Sequence, residues 1–462
     1  MAATVAAERV VRRPEVRPTP RWWRDASGVV AWASLLIVVA LWVASRGIQQ
    51  LGPGGIGLSS VGRLTGLVSA DLLLLQVLLM ARLPFVERAW GQDELARRHR
   101  LVGRWSFNLM MAHIVLITLG YAATARTGVV GELWTLVVSY PGMLLGTAGT
   151  ALLVLVVVTS VRRARRRLRY ETWHLLHLYA YLGVGLALPH QLWTGSDFLD
   201  RPLATAFWWM AWALTAGSVV LCRLGLPLWR SWRHRLVVRE TVHEGPGVVS
   251  VHLTGRHLDR LPVRAGQFFT WRFLSGPGWT QGNPYSLSAA PDGRSLRITA
   301  RDTGRLAALR PGTRVLFEGP YGRLTADVRT RRKVAVLASG IGITPGLALL
   351  QEIAGPQTDA VVVHRISTEA DRLFADELTE LSRKRGVRVL TAVGHRVAGR
   401  PSWQPAGTAH PSDRAALLRA VPDLADRDVF VCGPPPWTEA VLTAARAAGV
   451  APAQLHVEHF SW

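Results

Sequence analysis

The chain has 462 residues, with 54 Lys and Arg against 31 Asp and Glu, for a net charge of +23. That length excludes a single ordinary core and predicts roughly two to four units. Two cysteines, Cys222 and Cys432, exclude a disulfide framework.

Composition divides the chain near residue 230, with long apolar runs before it and mixed, Gly- and Pro-punctuated sequence after it. The runs 27–45, 64–81, 101–124, 142–161, 171–193 and 203–222 each approach the ~20 residues that cross a bilayer. They predict a six-helix transmembrane bundle with the lipid bilayer as partner. The first run, within VVAWASLLIVVALWVASRGIQQ, lacks a small-residue cleavage pattern and reads as a helix, not a signal peptide.

The positive charge is almost all arginine, with lysine only at 333 and 384. Arg9, Arg12, Arg13, Arg17, Arg21 and Arg24 precede the first run. Arg82, Arg88, Arg97, Arg98 and Arg100 follow the second, and Arg162, Arg163, Arg165, Arg166, Arg167 and Arg169 follow the fourth. The other loops hold only Arg46, Arg63, Arg126 and Arg201. This asymmetry predicts that the N-terminus and the second half are cytoplasmic, at the plasma membrane. It accounts for much of the charge without nucleic acid as a partner.

The third run carries His99 and His113, fourteen residues apart. That spacing gives about 21 Å of rise and returns to nearly the same helix face. The fifth, WHLLHLYAYLGVGLALPH, carries His174, His177 and His190. Ideal geometry does not choose between His174 and His177 as partner of the inner ring. Pro189 predicts a kink that re-aims His190. Both helices run in the same direction, so His99 meets the inner histidine and His113 meets His190. Two such pairs suit axial ligation of two b-type haems. The alternative, imidazoles bonded to neighbouring helices, explains one ring more readily than four at paired depths. Asp71, inside the second run, is a functional candidate by location or a helix–helix hydrogen bond.

The segments HRLVG with His113, and YETWHLLHLYAY with His190, resemble the ferric reductase and NADPH oxidase superfamily. The resemblance extends over nearly everything after residue 60. It implies two haems at these spacings, selects His177 over His174, and places Arg63 near an outer haem propionate.

From 233 to 325, RLVVRETV, GVVSVHLT, QFFTWRFL, SLRITAR and TRVLFEGP alternate with turn residues and predict a small β-barrel. NPYSLSAAP resembles the flavin segment of the ferredoxin–NADP reductase family. The resemblance implies FAD, with Tyr285 packed on the ring system and Ser286 bonded to its reactive edge. Asn283 stands where that family has a cation. ARDTGRLAAL occupies the place of its pyrophosphate segment, implying roles for Arg301, Thr303 and Gly304. GPYG at 319–322 completes the pattern.

Residues 330–462 alternate strand and helix patterns, predicting an α/β doubly wound nucleotide-binding domain. KVAVLASGIGITP is a strand opening into a glycine turn and a helix, where Gly340, Gly342, Thr344 and Pro345 can face a phosphate. By resemblance, VFVCGPPPW places Cys432, Gly433 and Pro434 beside the nicotinamide. VVVHRIS places Arg365 and Ser367 where a 2′-phosphate lies, favouring NADPH over NADH. The same resemblance implies that Trp462 stacks on the flavin.

The expected organisation is a basic N-terminus at 1–25, a transmembrane haem domain at 26–230, an FAD-binding β-barrel at 231–328 and an NAD(P)H-binding domain at 329–462. The expected activity is electron transfer from cytosolic NAD(P)H through FAD and two haems to external oxygen, giving superoxide. The alternatives are a ferric-chelate reductase on the same path and a nucleotide-binding membrane receptor or transporter.

Overall fold

The computed structural model describes residues 22–165, 167–168, 170–195, 201–276, 278–302, 304–395, 399, 402–407 and 412–459. The helices are α1 (Trp22–Ala44), α2 (Gly55–Leu79), α3 (Pro84–Trp90), α4 (Gln92–Ala125), α5 (Val129–Ser139), α6 (Met143–Ser160), α7 (Arg162–Arg165), α8 (Tyr170–Thr194), α9 (Pro202–Val219), α10 (Leu226–His234), α11 (Ile343–Ile353), α12 (Ala375–Arg385), α13 (Asp413–Ala420) and α14 (Pro435–Ala447). One compact unit comprises Arg21–Leu83 and Glu94–Cys222, and the other is built on Arg223–Trp462 with Pro84–Asp93.

Among the described residues, α1, α2, α4, α6 and the continuous helix Pro202–His234 are long and apolar enough to cross a membrane. The helix α8 covers the remaining predicted span but is not one of these five, because its histidines and tyrosines dilute its apolarity. It continues through Pro189 without ending. The polar stretch before residue 101 extends α4 back to Gln92, giving 34 residues. It lacks the apolar signal used for spans but is rich in helix formers.

Small residues set the helix contacts. A Cβ on Gly149 would lie 2.6 Å from the Gly183 carbonyl, and one on Gly183 would lie 3.0 Å from that of Gly149, so α6 and α8 approach backbone to backbone. Between α2 and α4, Ser69 and Ser106 each donate to the other's carbonyl, at 2.7 and 2.9 Å. Asp71 accepts from Ser34 of α1 at 3.0 Å, which is the helix–helix use of that carboxylate.

In the second unit, two antiparallel three-stranded sheets precede a parallel five-stranded one. The first has the order β1 (Val237–Gly245), β2 (Val248–Thr254), β5 (Ser295–Arg301). The second has the order β4 (Asn283–Ser286), β3 (Phe268–Phe273), β6 (Val315–Tyr321). Isolated bridges Val237–Arg314 and Leu287–Ile298 join neighbouring strands. Phe269, Trp271, Phe273 and Phe317 fill the space they enclose.

The parallel sheet has the order β11 (Leu455–His459), β10 (Asp428–Gly433), β7 (Val334–Ser339), β8 (Ala360–Ile366), β9 (Arg388–Val393). Every residue of β7, β8 and β10 is buried, which is why these strands read as continuous apolar runs. Connections leave β7 towards β8 and return to β10 on its other side. The topological switch point therefore lies between the carboxyl ends of β7 and β10, the place where open α/β sheets bind nucleotides.

Candidate functional site

In the helical unit, α2 and α4 run antiparallel, and two α2 carbonyls hold two α4 imidazoles. His113 Nδ1–H donates to Gly62 at 2.8 Å and His99 Nδ1–H donates to Gln76 at 3.1 Å. Gly62 and Gln76 are fourteen residues apart, the spacing of the histidines themselves. Each bond fixes the tautomer and leaves Nε2 with its lone pair, the arrangement second-shell partners impose on a metal ligand.

One pair of rings meets. The His99 and His177 ring centres are 6.0 Å apart and cross at 67°. Two imidazoles at this separation could hold one iron between them, since a metal–imidazole bond of about 2.0 Å on each side would put the ring centres roughly 6 Å apart. His177 Nδ1 lies 3.4 Å from Ser160 Oγ, and its ring packs on Trp173 at 5.1 Å. Glycine makes room for the His113 and His190 rings, since a Cβ on Gly66 would come 2.5 Å from His113 Nδ1 and one on Gly146 would come 3.1 Å from His190 Nδ1. Arg63 lies on α2 between Gly62 and Gly66 and hydrogen-bonds Gln50.

In the second unit, β4 pairs with β3 so that Tyr285 faces Phe269 and Ser286 faces Phe268. Ser286 is buried and its Oγ has no hydrogen-bond partner. Such an orphan is costly unless a bound group satisfies it. Burial pushes the Tyr285 phenol up from its ordinary value. Asn283 Nδ2 donates to the Gln281 carbonyl at 3.2 Å.

The segment is tied down just beyond Ser286. Arg297 donates to Ser288 Oγ at 3.1 Å and to its carbonyl at 2.7 Å, and forks onto Glu377 at 2.7 and 3.0 Å. Gln351 joins Glu377 to the Ala290 amide. These partners were not legible in the sequence, because they lie up to 80 positions apart.

At the switch point, the Gly340–Gly342 turn meets the end of β10. A methyl on Gly342 would run into the Cys432 carbonyl, so only glycine allows this approach. Gly340 has φ +54°, and His364 Nε2–H donates to its carbonyl at 3.0 Å. Thr344 Oγ1 donates to Ile341 at 2.9 Å, and Pro345 is buried in the first turn of α11. Pro434 precedes α14, and Gly433 packs against Trp437.

Arg301 turns towards this loop, 3.7 Å from where a Cβ of Gly340 would sit. Asp302 accepts the Leu306 and Ala307 amides at 2.8 and 2.7 Å, closing the loop that holds Gly304. Arg365 is only 4% exposed, whereas Ser367 is exposed at the strand's end. Thr303 and Trp462 lie outside the described residues.

The register of β10 and β11 sets Cys432 beside Glu458, a residue sequence reasoning passed over. Its only signal was a lone acid within the strand segment LHVEH. Burial, then Asp93 and Glu87, pushes the Glu458 carboxyl up to about 8. Burial, then Glu458, holds the Cys432 thiol well above its usual range, so it is no thiolate near neutrality.

Two family models match separate segments of the chain. Residues 65–188 match the family model for the ferric reductase like transmembrane component, and residues 336–443 that for the oxidoreductase NAD-binding domain. The chain therefore joins a ferric reductase like transmembrane segment to an oxidoreductase NAD-binding segment, in that order. It is 27% identical over 230 residues to the NADH oxidoreductase HCR of Escherichia coli, covering 47% of this chain and 65% of that protein. It is 30% identical over 253 residues to the flavohemoprotein of Bordetella pertussis, covering 50% of this chain and 61% of that protein. Among solved structures, the flavohem-like FAD/NAD binding domain of nitric oxide dioxygenase from Vibrio cholerae aligns with 49% of this chain and 99% of its own, at 21% identity and a TM-score of 0.38. The chain spans 61 to 65% of the length of the two curated relatives named here.

Proposed function

We propose that the protein moves electrons across a membrane, from NAD(P)H on the cytoplasmic side of the plasma membrane through FAD and two b-type haems to an acceptor outside. The observation that carries this reading is the His99–His177 pair, with ring centres 6.0 Å apart, where His99 shares its helix with His113 and both are held by the same kind of carbonyl bond. His99 with His177, and His113 with His190, are the proposed axial ligands, with Arg63 near an outer propionate. When bound, flavin takes a two-electron hydride and releases single electrons, which haem iron can carry one at a time.

The chain's own residues supply position and polarity. Gly62 and Gln76 hold two rings in the tautomer that leaves Nε2 free, while Gly66 and Gly146 admit rings that a larger residue would push aside. Ser286 Oγ offers a hydrogen bond to the flavin edge, and Tyr285 packs on its face. The Gly340–Gly342 turn receives the nucleotide's phosphates. Cys432 and Gly433 set the floor against which the nicotinamide rests, and neutral Glu458 keeps that floor uncharged. Trp462 is the proposed aromatic cover of the flavin.

Oxygen, reduced to superoxide, is the proposed acceptor, since it needs no dedicated binding cluster. The ferric reductase like family model at 65–188 favours a ferric chelate as the second reading. NADPH consumption by the purified protein with oxygen or with ferric chelate, with and without superoxide dismutase, separates them. Dismutase-sensitive reduction of a superoxide dye supports oxygen; chelate reduction unaffected by dismutase supports the second reading. A protein that binds nucleotide and consumes none would be a receptor or transporter.

A further inference from the structure

The helix Pro202–His234 has 33 residues, roughly 50 Å at the usual rise, while the hydrocarbon core is about 30 Å thick. Its last turns, α10 with the residues just before it, therefore leave the hydrocarbon. These turns have two unlike faces. Arg230, Ser231 and His234 point into the protein. Ser231 Oγ accepts from the Phe317 amide at 3.1 Å, Arg230 donates to the Gly319 carbonyl, and His234 Nδ1–H donates to Arg256 at 3.0 Å.

The opposite face keeps the apolar character of a membrane span beyond the point where the hydrocarbon ends. Leu224, Leu228 and Trp232 repeat every four residues with Trp229 beside them, and they are 58%, 61%, 66% and 51% exposed. Two cations lie over the two indoles. The Arg233 guanidinium is 5.5 Å from the Trp229 ring and that of Arg235 is 5.9 Å from the Trp232 ring.

We propose that this face is a binding surface for anionic phospholipid, with Trp229 and Trp232 in the headgroup layer and Arg233 and Arg235 taking headgroup phosphates. Two features select lipid as the occupant. The stripe continues a membrane-spanning helix, so lipid already covers the preceding turns. Its rim is cationic and complements anionic headgroups, while amphipathic indoles favour the water–hydrocarbon boundary. Because the other face of α10 is bonded to β6, lipid held here anchors the flavin-domain strand that ends in Tyr321.

The test uses the full-length protein in nanodiscs of phosphatidylcholine with and without phosphatidylglycerol. Nitroxide labels are placed by Trp229→Cys, Trp232→Cys and, as an exposed control on β1, Glu240→Cys, each in a Cys222→Ala background with buried Cys432 left in place. Labels at 229 and 232 should meet lipid-soluble oxygen more than an aqueous nickel chelate, with the order reversed at 240. Arg233→Gln and Arg235→Gln should each lower retention of phosphatidylglycerol in native mass spectra about fivefold, the effect of one cation at an anionic surface, with flavin content unchanged. Nickel accessibility at 229 and 232 equal to that at 240 overturns the proposal. So does shielding from both reagents, which would mean a protein covers the face, and so does unchanged lipid retention in both arginine variants.

Discussion

The rings of His99 and His177 approach each other from α4 and α8 with centres 6.0 Å apart. Thirteen- and sixteen-residue intervals to His190 fit an ideal helix equally badly, so periodicity alone could not choose between His177 and His174. The contact with His99 is the observation that supports the choice of His177.

Removing one ligand should therefore remove one haem. His177→Ala or His99→Ala is expected to halve the haem-to-flavin ratio, measured by pyridine haemochrome spectra, while His174→Ala retains the full ratio. Halving by His174→Ala with retention in His177→Ala would reverse the assignment.

A subtler change tests the outer pair without touching a ligand. Gly66→Ala places a methyl 2.5 Å from His113 Nδ1, closer than real Cβ contacts come. The ring must turn and its bond to Gly62 must break. The expected result is loss of one haem with flavin content and the inner haem spectrum unchanged; full haem content would show that the ring has another place to go.

Glu458 makes stability depend on pH in an unusual direction. Its folded value, about 8, lies above the ordinary carboxyl value of 4.5. Between these values the unfolded chain has lost the proton that the folded chain still holds, so stability falls as pH rises through the window and levels off above about 8. The flavin-release temperature of the full-length protein should follow this slope, and Glu458→Gln, which stays neutral, should flatten it. An equally steep slope in the variant would assign the dependence to other groups.

Cys432 is buried and its thiol is held well above its usual range, so its proposed role is to shape the floor under the nicotinamide and not to act as a thiolate. Cys432→Ala is expected to slow anaerobic reduction of the flavin by NADPH roughly tenfold or more, the scale of a small misplacement of reacting atoms. Haem spectra should not change, and iodoacetamide should leave the native enzyme active. An unaltered reduction rate would return the residue to packing alone.

Much of this was legible because the signals were periodic or punctuated. The runs over 27–45, 64–81, 101–124, 142–161 and 203–222 each fall on a helix long and apolar enough to span, and five β-patterned segments of the flavin half became strands. The strand β4 was missed because Asn283 and Pro284 do not read as strand formers. The pairing of β10 with β11 lay beyond any local pattern, and with it the meeting of Cys432 and Glu458. The carbonyls of Gly62 and Gln76 were equally invisible, since a backbone acceptor leaves no mark in a side-chain sequence.

The central claim is that four histidines carry two haems fed by a flavin on the same chain. An anaerobic NADPH titration of the purified full-length protein, followed by visible absorbance, tests it most directly. The account predicts two haems per flavin, bis-imidazole spectra, and reduction of both haems as NADPH is added. A protein whose flavin bleaches while no haem band is present would contradict it.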